Sequence, residues 1–599
     1  MLSEIIINRL FRKTIIAPVN DNITLKDMIK RTIFAVALPV LFIFPAVAQE
    51  ANEAQDLKRE VTLYNPYKPS LSDARKKSFL PEITDTAKVN PVFSYEVSSK
   101  AFTPVYTIST IKPASLLSDP LPKLYKGYLR LGLGNNNTPL GELSVTNQRS
   151  KKGAVGIFAR HYSSNGKVPL ENKQKVFSGF MDNDATVFGR KFFREGYFDI
   201  SADFLHRSRY AYGYNTDDFY EFSKKEIKQT YYDIGADATV ASQNLDSTEF
   251  SYKFGLSYDY FNNTADRSLH RVGFTGALSK LYEGFYIGGL INIDHYRLAE
   301  PLGLDPKYIM TVRPYVKKMT DQWNFNLGAG ISFEQNIEPE TNIYFHPDLS
   351  LGFTIVPEYI NFFARLSGKL ENNDPLRVIS MNPYLVPDGS LFRVPNTNHS
   401  LVISGGLKGN SGFGGNYEVS ASYSLVSNML MFSNVVYPDT LSVTERGNHF
   451  IVTPDDADIF NLHGELSGNF SSRLSFRSRA DYYRYTLSAL PFAVNKPDWD
   501  GMIGFYYNLR NKIIAGTEIN VVGPRKLQVY QSPTGWMTLS PVTVSKPAHI
   551  NIGLSAEYRY TRILSFWAKV NNISWERYYE WEYYPSQMFN FLIGFTYSL

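Results

Sequence analysis

A chain of 599 residues with 43% apolar and only 20% charged side chains can bury a large core, yet past residue 48 it has no apolar run long enough to span a bilayer as a helix, which excludes a helical membrane protein. Aromatics reach 15%, with 41 Tyr and 41 Phe, the excess that aromatic girdles and lipid-facing strands produce and that a soluble enzyme rarely needs. The net charge of +5 gives no reason to expect nucleic acid as a partner, and the lack of cysteine excludes a lipidated N-terminus, disulfides, thiolate metal sites and a Cys nucleophile.

In chain order, the first element is a continuous apolar run from Thr32 to Phe44, preceded by Lys30-Arg31 and closed by Ala46-Val47-Ala48. A positive flank, an apolar stretch and small residues at a cleavage site read as a signal peptide over residues 1–48, with the mature chain starting near Gln49. Met28 is an alternative start, so residues 1–27 are either an over-long reading frame or an extended positive flank. Residues 49–123 carry Pro66, Pro69, Pro81, Pro91, Pro104, Pro113, Pro120 and Pro122 without a sustained period, which predicts an extended periplasmic or lumen-filling segment. Within it, Arg59 to Pro69 begins like a short strand. Pro69 to Pro81 is read either as a short amphipathic helix or as a periplasmic peptide ligand.

From Leu124 to Leu599 the pattern becomes short alternating runs parted by Gly, Asn, Asp and Pro clusters, one domain rather than several. In Trp323 to Glu334, the residues Trp323, Phe325, Leu327, Ala329, Ile331 and Phe333 share one face against Asn, Gly, Ser and Glu. That two-residue period suits a strand with lipid on one side and a lumen on the other. Phe285 to Ile293 and Leu564 to Asn571 repeat it. About twenty-two such runs fit a membrane strand of roughly 9 to 11 residues, so the expected fold is all-β, a transmembrane antiparallel barrel of about 22 strands. A soluble propeller is the alternative, but no blade-length repeat is visible. The polar stretches 164–182, 208–228, 371–398, 434–457 and 523–546 are expected as extracellular loops. The turns Phe470-Ser471-Ser472 and Leu509-Arg510-Asn511-Lys512 are expected as periplasmic.

Few residues look chemical. Asp455-Asp456-Ala457-Asp458 is read either as clustered carboxylates for calcium or as a solvated acidic loop tip, and it lacks the Gly and distal Glu of a calcium loop. Arg473, Arg477 and Arg479, with Ser475, alternate against Leu474, Phe476 and Ala480. They are expected to face the lumen, either attracting anions or pairing with carboxylates such as Asp481. Nucleophile elbows, HExxH helices and recognisable paired carboxylates are missing, and the nine His show no metal-ligand spacing, so neither enzyme nor cofactor is expected.

The most specific text is the ending: Phe566 to Ile573 with its Val570-Asn571-Asn572-Ile573, then Arg577-Tyr578-Tyr579-Glu580-Trp581, then Phe589, Phe591, Ile593, Phe595, Tyr597 and Leu599 on one apolar face. It resembles the ending of TonB-dependent receptors, of the Bacteroidota type, over about the last forty residues, with a terminal Leu where that family ends in Phe. The resemblance implies a 22-stranded outer-membrane barrel acting as a transport or receptor conduit, with the last strand read by the BAM insertase. It also implies a plug, for which the segment before the barrel is too short and Pro-rich, so a plugless barrel is expected. Glu60-Val61-Thr62-Leu63 has a faint likeness to a TonB box, a strand added to a partner's sheet. A non-transporting scaffold docking a periplasmic or surface lipoprotein partner is the other reading, and a rim enzyme a third.

Overall fold

The computed structural model describes residues 125–598 apart from 148–149, 214–221, 244–249, 299–305, 336–340, 386–388, 437–447 and 532–539. The segment expected as a signal peptide, the Pro-rich segment with Glu60, Val61, Thr62 and Leu63, and Leu599 lie outside the described residues.

Alternation dictates the architecture. In Trp323–Gln335 the outward Leu327, Ile331 and Phe333 are exposed, while the intervening Ser332 and Glu334 are buried. A strand whose outer face is apolar leaves no water beside its backbone N–H and C=O groups, and only pairing on both sides satisfies them. Among the described residues twenty-two strands do so: Gly127–Gly134, Thr138–Thr146, Gly153–Ser164, Phe180–Phe193, Gly196–Tyr210, Lys228–Ser242, Ser251–Asn263, Ser268–Tyr282, Phe285–Leu298, Lys307–Met319, Trp323–Gln335, Thr341–Val356, Ile360–Glu371, Thr397–Asn410, Asn416–Met429, Asp455–Asn469, Leu474–Leu487, Trp499–Leu509, Ile513–Val522, His549–Arg559, Leu564–Asn571 and Asn590–Ser598. Each pairs with the next, antiparallel throughout. The first also pairs with the last, Leu131 opposite Phe595, so the sheet closes and leaves no edge.

The two ends of the cylinder differ. One end has short turns such as Glu283-Gly284, where φ of +49° and +80° gives the twist a tight hairpin requires and the second position suits glycine. The expected turns at Phe470-Ser471-Ser472 and Arg510-Asn511-Lys512 are at this end. The opposite end has the long connections 165–179, 211–227, 372–396, 430–454 and 523–548, in place of the five polar stretches expected as loops. Connections 488–498 and 572–589 join them there.

Those connections are folded. Phe432–Val436, Asn448–Val452, Arg525–Gln531 and Ser540–Lys546 form a separate four-stranded sheet, in which Phe432–Val436 runs parallel to Arg525–Gln531. A short helix, Pro375–Met381, starts at Asp374, whose carboxylate accepts the Arg377 N–H at 2.9 Å, with Pro375 in the first turn where no N–H is needed. The molecule's main buried apolar cluster gathers at this end rather than along the wall.

Candidate functional site: the loop-covered mouth and the lumen wall

The wall offers the loops an inward apolar rim. Tyr231, Phe261, Leu269, Tyr296 and Ile309, each near the long-loop end of its strand, point away from the exposed outer residues and are at most 7% exposed. Val378, Ile379, Leu385, Leu391, Phe392 and Val394 from connection 372–396 share their buried cluster. Val168, Leu170 and Val176 of connection 165–179 and Ile227 of 211–227 join it. Connection 372–396 therefore folds inward across the mouth.

Polar anchors hold that loop in register. Asn396 Nδ2 donates to Glu334 Oε1 at 2.6 Å, Lys307 Nζ donates to Asn396 Oδ1 at 2.7 Å, and the same oxygen accepts the Asn373 N–H at 3.0 Å. Lys307, Glu334 and Asn396 are all buried. Asn398 Oδ1 lies 2.8 Å from Nε2 of the fully buried His346, and Asn372 Nδ2 donates to the Tyr296 hydroxyl. Charge buried with such partners is stable only while every partner stays in place, so the loop is pinned at both ends.

A second set of loops completes the cover. Tyr384 stacks on Tyr584 at 3.9 Å, Tyr212 meets both rings edge-on, and the Tyr212 hydroxyl donates to the Pro585 carbonyl at 3.0 Å. Trp581 packs edge-on against Phe432 and Phe450. Burial pushes the Tyr384 hydroxyl up to about 12 and raises the Glu580 carboxyl against the opposing pull of Arg525, and it lowers the Lys496 ammonium. Arg525 donates to the Asn495 side chain and to the Tyr579 and Glu580 carbonyls, tying connection 488–498 and the loop sheet to 572–589.

The acidic run expected at a loop tip is placed differently. Asp455 opens a wall strand and is 7% exposed, its carboxylate accepting the Ala489 and Leu490 N–H groups at 3.0 and 2.7 Å. The carboxylate is drawn in because the incoming turn of connection 488–498 presents unpaired N–H groups. Among the described residues no group of three or more His, Cys, Asp or Glu is arranged to hold a metal ion.

Below the mouth the lumen wall is polar. Gly235 is flanked on its own strand by Asp233 and Asp237 and lies opposite Asp203 and Asp259 on its neighbours, while Arg271 bridges Asp259 and Asp294 at 3.0 Å each. Arg477 and Arg479 lie on the face opposite the exposed Tyr482, Arg477 pairing with Glu465 at 3.3 Å and Arg479 with Asp500 at 2.6 Å and Asp481 at 3.4 Å. Arg473 precedes the strand, in the turn where its N–H bonds the Ser471 hydroxyl, and so does not join them. On the last strand Phe591, Ile593, Phe595 and Tyr597 are exposed on the outer face, and Phe589, just ahead of it, stacks on Trp575 at 4.7 Å.

Sequence reasoning missed the mouth. Its one signal was the set of short apolar runs inside polar loops, such as Val378-Ile379, Leu430-Met431-Phe432 and Phe450-Ile451-Val452.

No family model and no curated protein matches the sequence. Among solved structures the chain is similar to the copper transporter OprC, at 13% identity and a TM-score of 0.57 over 80% of this chain and 81% of that one. It is also similar to the FrpB iron transporter from Neisseria meningitidis, at 11% identity and a TM-score of 0.59 over 80% and 82%. A third is the ferripyoverdine receptor of the outer membrane of Pseudomonas aeruginosa, at 12% identity and a TM-score of 0.57 over 80% and 72%. These likenesses establish a shared barrel fold.

Proposed function

We propose that this protein is an outer-membrane conduit whose outer mouth is closed by its own loops. The carrying observation is the buried cluster in which connection 372–396 packs against the inner rim of the wall. A closed barrel with an apolar outer face belongs in lipid, and long loops face outward in barrels whose periplasmic turns are short. The fold is shared with proteins named as copper and iron transporters, which supports transport over catalysis. A wall lined by Asp, Arg, Asn and Ser suits a polar solute. In the same reading the exposed alternation of Phe591, Ile593, Phe595 and Tyr597 serves recognition by the BAM insertase, and Glu60-Val61-Thr62-Leu63 is the strand a TonB-like or lipoprotein partner adds to its own sheet.

Replacing residues 375–394 by a short Gly-Ser bridge is expected to convert a closed or flickering protein into a steady, wide channel in planar bilayers. A separate deletion of residues 49–123 serves as the comparison. Should only that deletion open the barrel, the loop cluster is not the closure and the proposal fails. Stoichiometric recovery of a lipoprotein, with conductance unchanged by either deletion, would instead favour a scaffold.

A further inference from the structure

We infer that one sector of the barrel's outer face, close to its long-loop end, binds the phosphorylated headgroups of outer-leaflet glycolipid. The inference rests on the outer-membrane reading above.

The sector spans the strands Gly153–Ser164 to Lys307–Met319. Its lower outer face is apolar, with Val155, Ile157, Ile200, Ile234, Leu256 and Leu278 exposed. Within five residues of the long-loop end the same face turns polar. His161 Nδ1 lies 2.6 Å from Asn183 Oδ1, and Asn183 Nδ2 lies 2.7 Å from His206 Nδ1, so three adjacent strands carry one hydrogen-bonded row. The His206 ring stacks on the exposed Tyr232 at 4.8 Å. Farther round, the Tyr258 hydroxyl is 2.9 Å from His270 Nδ1, and His295 packs on the exposed Tyr308 at 4.5 Å.

Hydrocarbon cannot satisfy such groups, and a polar side chain on a lipid-facing strand costs free energy in a depth-dependent way. The oily layer must therefore stop beneath this row, and what meets it is headgroup. Charge then selects the headgroup. Lys228 shares the face of Tyr232, and the exposed Arg297 sits opposite His270. No outward strand position of the sector carries Asp or Glu. Ammonium and guanidinium donors without a competing carboxylate suit phosphate. Elsewhere round the barrel Ile343, Phe345, Ile550 and Phe591 are exposed near that end, and where another pair of strands turns polar on its outer face there, Asp456 and Asp458 accompany Arg484, so a cationic row free of carboxylates marks this sector.

The test uses the full-length protein in detergent, folded as judged by a heat-shifted band on a gel. Titration with a bis-phosphorylated acylated disaccharide is expected to raise the unfolding temperature and to leave the glycolipid co-eluting, whereas its dephosphorylated form does neither. The Lys228→Gln, His206→Gln, Arg297→Gln triple variant is expected to need more glycolipid for half-saturation, roughly fivefold for each of the two full charges removed. Arg297→Gln alone, a change at an exposed position, supplies the same comparison if the triple variant does not fold. Equal retention of the dephosphorylated glycolipid, or unchanged binding by folded variants, would overturn the inference. So would a wild-type dimer that the triple variant dissociates, since a second copy would then occupy the sector. A wild-type chain that never shows a heat-shifted band would remove the barrel reading and the inference together.

Discussion

At the scale of single residues, one indole packs against the two strands whose pairing closes the barrel. Trp567, 6% exposed, faces the lumen beside the seam, where a Cβ on Gly132 would stand 2.5 Å and one on Gly594 2.6 Å from its ring. Two facing glycines make the groove, and the Arg130 guanidinium covers the ring at 4.2 Å. Seam strands are short, eight and nine residues against sixteen for Thr341–Val356, so few backbone bonds close the sheet and side-chain packing counts for more. Trp567→Ala is expected to cost about 3–5 kcal/mol, the usual range for emptying a buried Trp site. The measurement is the temperature at which the folded band is lost on a gel; an unchanged temperature would show that the indole is not a closure element. Asp455 teaches a related lesson. Its sequence context reads as an exposed tip, and only the arrival of Ala489 and Leu490, more than thirty residues later, makes it a buried acceptor.

At the scale of elements, the two kinds of segment obey different rules. A wall strand was legible because its period is local: Phe285–Leu298 and Trp323–Gln335 begin where their alternation begins. A loop has no period, and whether it folds depends on segments it cannot specify. Val168 and Trp581 share one buried cluster although four hundred residues of chain separate them. Connection 372–396 is the clearest case, since its helix of seven residues is too short to persist alone and gains its order from the wall. Asn396 is the keystone of its polar anchor, accepting from Lys307 and donating to Glu334. Asn396→Leu leaves both charges buried without that partner and is expected to destabilise the loop by about 2 kcal/mol or more. Faster hydrogen exchange across residues 372–396, together with more frequent openings in single-channel records, is the expected outcome. Exchange equal to wild type would mean the apolar contacts alone hold the loop.

At the scale of the whole molecule, the outer face reports the membrane. Along Trp323–Gln335 aromatic residues stand at both ends and Leu327, Ala329 and Ile331 between them, the order of girdle, hydrocarbon, girdle. Leu327, 59% exposed, lies in the oily part. Leu327→Arg is expected to destabilise the barrel by about 2–4 kcal/mol in lipid vesicles, as a charge near mid-depth does. Its lumen-facing neighbour Asn326 tolerates the same change, because water and wall polar groups receive the charge. Comparing the folded fractions of the two variants after urea titration checks this, and equal losses would contradict the assignment of faces.

The amino-acid sequence by itself determined the strands, their approximate number and which face of each is oily, because a two-residue period is set by the geometry of one extended chain and needs no partner to be read. The tertiary structure alone decided that the sheet shuts on itself, that Trp567 fills the seam, and that apolar fragments from distant loops assemble over one mouth. Those outcomes depend on pairings between residues hundreds of positions apart, and no local pattern encodes which surface a short apolar run will meet.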